Sequence, residues 1–178
     1  MTQDILPDLL RPGLRLVFCG MAAGPESARI GAYYAGPGNR FWRVLHQAGF
    51  TPCQMRPADF RELPGLGIGL TDLAKTQWGV DRVVRVTQHD RDRLMATIRT
   101  ARPQALAFTS GRTAALALGL KALPFGPLDG ALRPAGFPPV FVLPSTSGSN
   151  NGNWDRNGYH RHWMDTAMAL GFRTATAA

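Results

Sequence analysis

An α/β/α sandwich built on a mainly parallel central sheet is the fold this sequence predicts. Three observations predict it. Short apolar runs recur along the chain, stretches with helical spacing alternate with them, and polar or glycine-rich loops follow directly on the runs. In sheets of this class both faces are covered, so strands read as continuous apolar runs, and ligands gather beyond the strands' carboxyl ends.

The elements follow in order. LRLVFCG (14–20) reads as a buried strand that opens into a glycine-rich loop, and FWRVLHQAGF (41–50) as a helix stopped by Gly49. PADFREL (57–63) is a short helix started by Pro57, and GIGLTDLA (67–74) a strand running into a polar loop. HDRDRLMATIRTARP (89–103) is amphipathic, with Leu94, Ile98 and Ala101 on one face and Pro103 after its end. ALAFTS (105–110) is a strand, GRTAALALGL (111–120) a helix entered through Gly111, and PVFVLP (139–144) a strand followed by STSGSNNGN. A last helix is expected from about Trp154 to Leu170, ended by Gly171. The loops after residues 20, 74 and 144 should converge on one site.

The 178 residues suit one domain, 1–178, with a core large enough to need no staples. No repeat or interdomain linker interrupts it. No apolar run approaches the roughly 20 residues of a membrane span, and MTQDILPDLLRPG lacks the order of a signal peptide, so a cytoplasmic protein is expected. Cys19 and Cys53 form neither a disulfide framework nor a zinc pattern, and His46, His89, His160 and His162 are not spaced as metal ligands; no metal is expected. The net charge is +8, and 18 of the 20 cations are arginine, the side chain suited to bidentate phosphate contact. A polyanionic partner and an arginine-rich codon usage both explain that balance. The first loop forms neither G-x-G-x-x-G nor a P-loop with its lysine, which argues against a nucleotide enzyme.

Three segments together carry a resemblance. After the first strand stand Gly20-Met21-Ala22-Ala23-Gly24, then Tyr33-Tyr34, then Pro37-Gly38-Asn39-Arg40-Phe41-Trp42. GIGLTDLAKT lies in the middle of the chain, and Ser145-Thr146-Ser147-Gly148-Ser149-Asn150-Asn151 follows the last apolar run. The ordered set resembles the uracil-DNA glycosylase superfamily, closest to its mismatch-specific uracil/thymine-DNA glycosylase branch, over roughly residues 13–170. That resemblance implies a repair enzyme without metal or cofactor, a monomer acting on DNA that contains uracil, with other deaminated bases as further substrates. It places Gly20, Met21, Ala22, Ala23, Gly24, Tyr34 and Ser145 around the base, Tyr34 as a flat lid. It places Ser147, Gly148, Ser149, Asn150 and Asn151 against DNA, with Asn150 or Asn151 filling the space the base vacates. A base inside a duplex cannot be reached, so such an enzyme must extrude it, spending a few kcal/mol on unstacking.

The sequence departs from the family at its chemistry. Ala22 stands where that branch has a water-positioning asparagine, Ser145 replaces a second asparagine, and Ser149 and Asn151 replace a leucine wedge and an arginine. Three outcomes are compatible with this: excision through another polar group, slow excision resting on leaving-group stabilisation, or binding of uracil or abasic sites without cutting. Candidate substitutes are Asp72 at the end of a strand, Glu26 beside the first motif, and the neutral Asn39. The arginines at 82, 85, 91, 93 and 99 are candidates to follow the DNA backbone, or simply solvated helix charge. Trp42 is expected in the core.

Overall fold

The computed structural model describes residues 3–172. Five strands, β1 (Leu16–Gly20), β2 (Ile68–Asp72), β3 (Leu106–Phe108), β4 (Gly126–Pro127) and β5 (Val140–Val142), form one sheet in the order β2-β1-β3-β5-β4. All pairings are parallel except β4 with β5. Between the strands lie α1 (Pro25–Ile30), α2 (Phe41–Gln47), α3 (Gln88–Ala101) and α4 (Gly111–Leu118), and after them α5 (Asn151–Trp154) and α6 (His160–Ala169).

Successive strand residues point to opposite sheet faces, and here both faces are buried. Leu16, Phe18, Ile68, Leu70, Ala107 and Phe141 enter one apolar cluster with Phe41 and Leu45 of α2 and Trp163 of α6. Val17, Cys19, Leu106, Phe108, Val140 and Val142 enter the other, with Leu94 and Ile98 of α3 and Ala114 and Ala117 of α4. Three layers result, as the uninterrupted apolar runs predict. Aromatic contacts seal the first cluster: Phe18 stacks on Trp163 and meets Phe41 and Phe50 edge-on.

The observed elements differ from expectation where local chemistry intervenes. Residues Pro57–Leu66 form a 3-10 helix, entered through reciprocal bonds between Arg56 and Asp59 and carrying Pro64 inside it. The expected helix from Trp154 is broken. α5 ends at Trp154 and α6 starts at His160, with Gly158 left-handed between them at φ 61°. The break lets both Trp154 and Trp163 reach the interior. Two elements carry no periodic signal: α1, only six residues between Gly24 and a left-handed Gly31, and the two-residue edge strand β4. Among the described residues no helix is long and apolar enough to cross a membrane.

Parallel register puts the strands' carboxyl ends together. Gly20 pairs with Asp72, Cys19 with Phe108 and Phe108 with Val142. The loops leaving these ends form the site.

Candidate active site

A cleft of about 690 Å³ opens at this sheet end. Its walls combine Gly20, Met21, Ala22 and Gly24 of the first loop, Tyr34 and Asn39 further along it, and Ser145 to Ser149 after β5. The convergence of the loops after residues 20 and 144 is therefore present. The loop after residue 74 contributes as well, through Gly79 to Arg82.

Tyr34 is held from three sides. Its ring stacks on Phe41 at 3.8 Å and 14°, its hydroxyl lies 3.3 Å from Thr109 Oγ1, and its backbone is left-handed at φ 53°. A non-glycine residue in that region costs on the order of 1–2 kcal/mol, which the stacking offsets. Burial pushes its hydroxyl pKa up, so the phenol is neutral. Trp42 lies in the core, its indole donating to the Tyr33 carbonyl at 3.1 Å.

Behind Gly20 sits the Asp72 carboxyl. A Cβ on residue 20 would lie 2.5 Å from Asp72 Oδ1 and 3.1 Å from the Tyr34 hydroxyl oxygen, so only glycine leaves that space. Asp72 is buried and lies just behind the cleft wall. Burial pushes its pKa up to about 6, opposed by Lys75 and Arg93 and assisted by Asp8 and Asp81. A buried polar cluster backs it. Lys75 pairs with Asp8 at 2.9 Å and donates to the Tyr33 hydroxyl at 3.0 Å; Arg93 pairs with Asp8 at 3.3 Å and donates to the Asp72 carbonyl. Thr71 donates to Asp8 at 2.7 Å.

Several sequence-based expectations are corrected. Glu26 does not face the cleft: it makes a bidentate bond with Arg29 at 2.6 and 2.8 Å on the surface, and that bond lowers its pKa. Ala23 is buried, and its carbonyl is taken by the Gly79 N–H at 2.9 Å. Asn150 and Asn151 fasten loops instead of reaching outward. Asn150 donates to the Ser145 carbonyl at 2.9 Å; Asn151 accepts from Arg40 at 2.6 Å and donates to the Gly38 carbonyl at 3.2 Å. Of the arginines expected to follow a backbone, Arg93 serves the Asp8 cluster and Arg99 bonds the Ala135 carbonyl. Asn39 does line the cleft, but its side-chain oxygen Oδ1 accepts from the Phe41 N–H at 3.0 Å. Ser145, Ser147, Gly148 and Ser149 also line it.

The structure adds residues that sequence reading passed over. Ser110 caps α4 through Thr113 at 3.0 Å, so the helix's positive end, with Arg112, faces the cleft. Asp81 lines the cleft too, next to Arg82, one of the arginines named from the sequence. Asp81 is held above the usual carboxylate range by partial desolvation, with Arg112 opposing. The signal for α4 was legible, since an apolar strand runs straight into Ser-Gly-Arg-Thr at a helix start. Asp81 left none.

The sheet end of this α/β sandwich gathers a backbone-lined first loop, a stacked tyrosine and a serine-rich loop into one cleft bordered by Arg82 and Arg112. The family model described as the uracil DNA glycosylase superfamily matches residues 7–165, nearly the whole chain. The protein belongs to that superfamily.

Proposed function

We propose that this protein removes uracil from DNA by hydrolysing its N-glycosidic bond, leaving an abasic site. The observation that carries the reading is the cleft itself. Tyr34, backed on one ring face by Phe41, turns toward a space framed by the Met21–Gly24 backbone and Ser145. An extruded uracil stacks on the tyrosine and bonds through its polar edge to backbone and serine groups.

In the reaction the C1′–N1 bond breaks with its electron pair passing to the uracil, a water oxygen bonds C1′, and the proton that water loses passes to a carboxylate and finally to the released uracil. Uracil leaves as an anion, which the N-terminal end of α4 favours electrostatically. The sugar becomes oxocarbenium-like, which favours a carboxylate nearby. Ala22 lines the cleft and offers no water-orienting group; the role falls to Asp72, whose carboxyl lies behind Gly20 at the end of β2, with Asp81 as the acid at the cleft wall itself. With neither arginine nor leucine in the serine loop, the opposite base is read weakly.

The test is single-turnover incubation with labelled oligonucleotides, scored for free uracil and alkali-labile strands. Excision from U·G, U·A and single strands at comparable rates is expected. Asp72→Asn is expected to slow it on the order of a hundredfold, as for lost general-base assistance; unaltered rates remove Asp72 from the chemistry. One observation favours a second reading, a binder of uracil or abasic sites that does not cut: the water-positioning asparagine is absent at Ala22. Tight binding of abasic duplex with no uracil released establishes it in place of the first.

A further inference from the structure

Seven large apolar side chains stand exposed among the described residues, and three of them share one turn at the cleft's mouth. Trp78 is 57% exposed, Val80 47% and Val83 55%, whereas Trp42, Trp154 and Trp163 are buried. The turn is held, not loose. Trp78 bridges to Ala23, the Gly79 N–H donates to the Ala23 carbonyl, and the Val83 N–H donates to the Val80 carbonyl, each at 2.9 Å for the two bonds. At its base, the Gln77 side chain bonds both the N–H and the carbonyl of Arg85, at 3.0 and 2.8 Å. Folding gains nothing from holding a tryptophan in water.

The surroundings say what covers it. Gly79, Val80, Asp81 and Arg82 of the same turn line the cleft, and Arg112 lies across from Asp81. None of the ion pairs among the described residues takes up Arg82, Arg85 or Arg112. The turn is therefore apolar at its tip and flanked by cations, with Asp81 its single acid. The facing loop, Ser145 to Asn151, holds no apolar side chain, and its asparagines are committed to internal bonds. Extruding a base leaves a flat, apolar gap between neighbouring base pairs, bordered by phosphates. Proteins that open base steps fill them with apolar wedges.

Resting on the glycosylase reading above, we infer that the Trp78–Val83 turn is the wedge. Trp78, with Val80 and Val83, enters the stack of double-stranded DNA beside the extruded base, and Arg82, Arg85 and Arg112 hold the adjoining phosphates. The serine loop seats the base and does not fill the gap.

The experiment compares the unmodified protein with Trp78→Ala and Trp78→Phe. Single-turnover excision is measured on a uracil-bearing duplex and on the same strand unpaired. Trp78 emission is followed through its acrylamide quenching, with and without duplex carrying a tetrahydrofuran abasic analogue. Trp78→Ala is expected to lower the duplex rate on the order of tenfold to a hundredfold more than the single-strand rate, the scale of one lost stacking contact. Trp78→Phe restores most of it, and the duplex shields Trp78 from acrylamide. Equal losses on both substrates, no loss, or a Trp78 equally quenched with and without duplex overturns the wedge. So does a concentration-dependent self-association that Trp78→Ala abolishes while duplex binding stays unchanged. If the unmodified protein releases no uracil from either substrate, the glycosylase reading fails, and the wedge is then decided by the quenching and duplex-binding arm alone.

Discussion

At the residue scale, the Gly20 and Asp72 pair concentrates the site's constraints. A Gly20→Ala methyl would sit 2.5 Å from Asp72 Oδ1, closer than any van der Waals contact. Overpacking of this kind costs roughly 1–3 kcal/mol. Chemical denaturation should show that loss, and Asp72→Ala in the same chain should recover most of it, because the clash needs both groups. Asp72 also makes stability depend on pH. Its native pKa of about 6 lies above the ordinary carboxylate value, so between the two the folded state binds more protons than the unfolded one. Stability then falls as pH rises through this window, and above it the buried charge costs on the order of 3 kcal/mol. Asp72→Asn is accordingly expected to melt higher than the unmodified protein at pH 7, with the gap closing by pH 4. Thermal unfolding across that range checks it; a gap independent of pH would mean that Asp72 titrates normally.

At the element scale, two loops far apart in sequence are clasped. Arg40 donates through its backbone to the Thr146 carbonyl at 2.8 Å and through its guanidinium to Asn151 at 2.6 Å, while Asn151 returns a bond to Gly38. Gly148 packs where a Cβ would come within 3.2 Å of the Pro37 carbonyl oxygen. Asn151→Ala should cost on the order of 1–2 kcal/mol, since it strands a charged donor. It should also raise amide hydrogen exchange through residues 145–150 while α3 stays protected. A contrast is available in Thr87, whose hydroxyl caps α3 in a reciprocal pair with Asp90, neither of them lining the cleft. Thr87→Ala should lose about 1 kcal/mol with uracil excision unaltered.

At the scale of the whole molecule, the +8 charge acquires a direction. Many arginines are spent internally: Arg15 on the Leu170 carbonyl and over Phe172, Arg93 on Asp8, Arg40 on Asn151. Arg82 and Arg112 remain at the cleft wall. Affinity for DNA should fall linearly with log salt, and each phosphate contact removed by Arg82→Ala or Arg112→Ala should flatten the slope by about 0.9. Binding of a labelled duplex over a salt series measures this. An unchanged slope in both variants would place the phosphates elsewhere.

The sequence by itself determined the three-layer architecture, because runs buried on both faces and helices buried on one follow from local spacing. It also pointed to the first-motif backbone and the Ser145–Ser149 wall, because each stands directly after a strand whose register carries it to the sheet end, and to Tyr34 through its place in the ordered motif beyond α1. What only the tertiary structure decided depends on partners distant in sequence. Asn151 turns to Arg40, and Asp72 is buried behind Gly20 in front of a cluster that includes Asp8. Trp78 and Asp81 had no spacing to announce them; the packing of the loop from β2 against the first motif brings their turn to the cleft. A side chain's environment is set by what lies across from it, and that is a property of the folded chain.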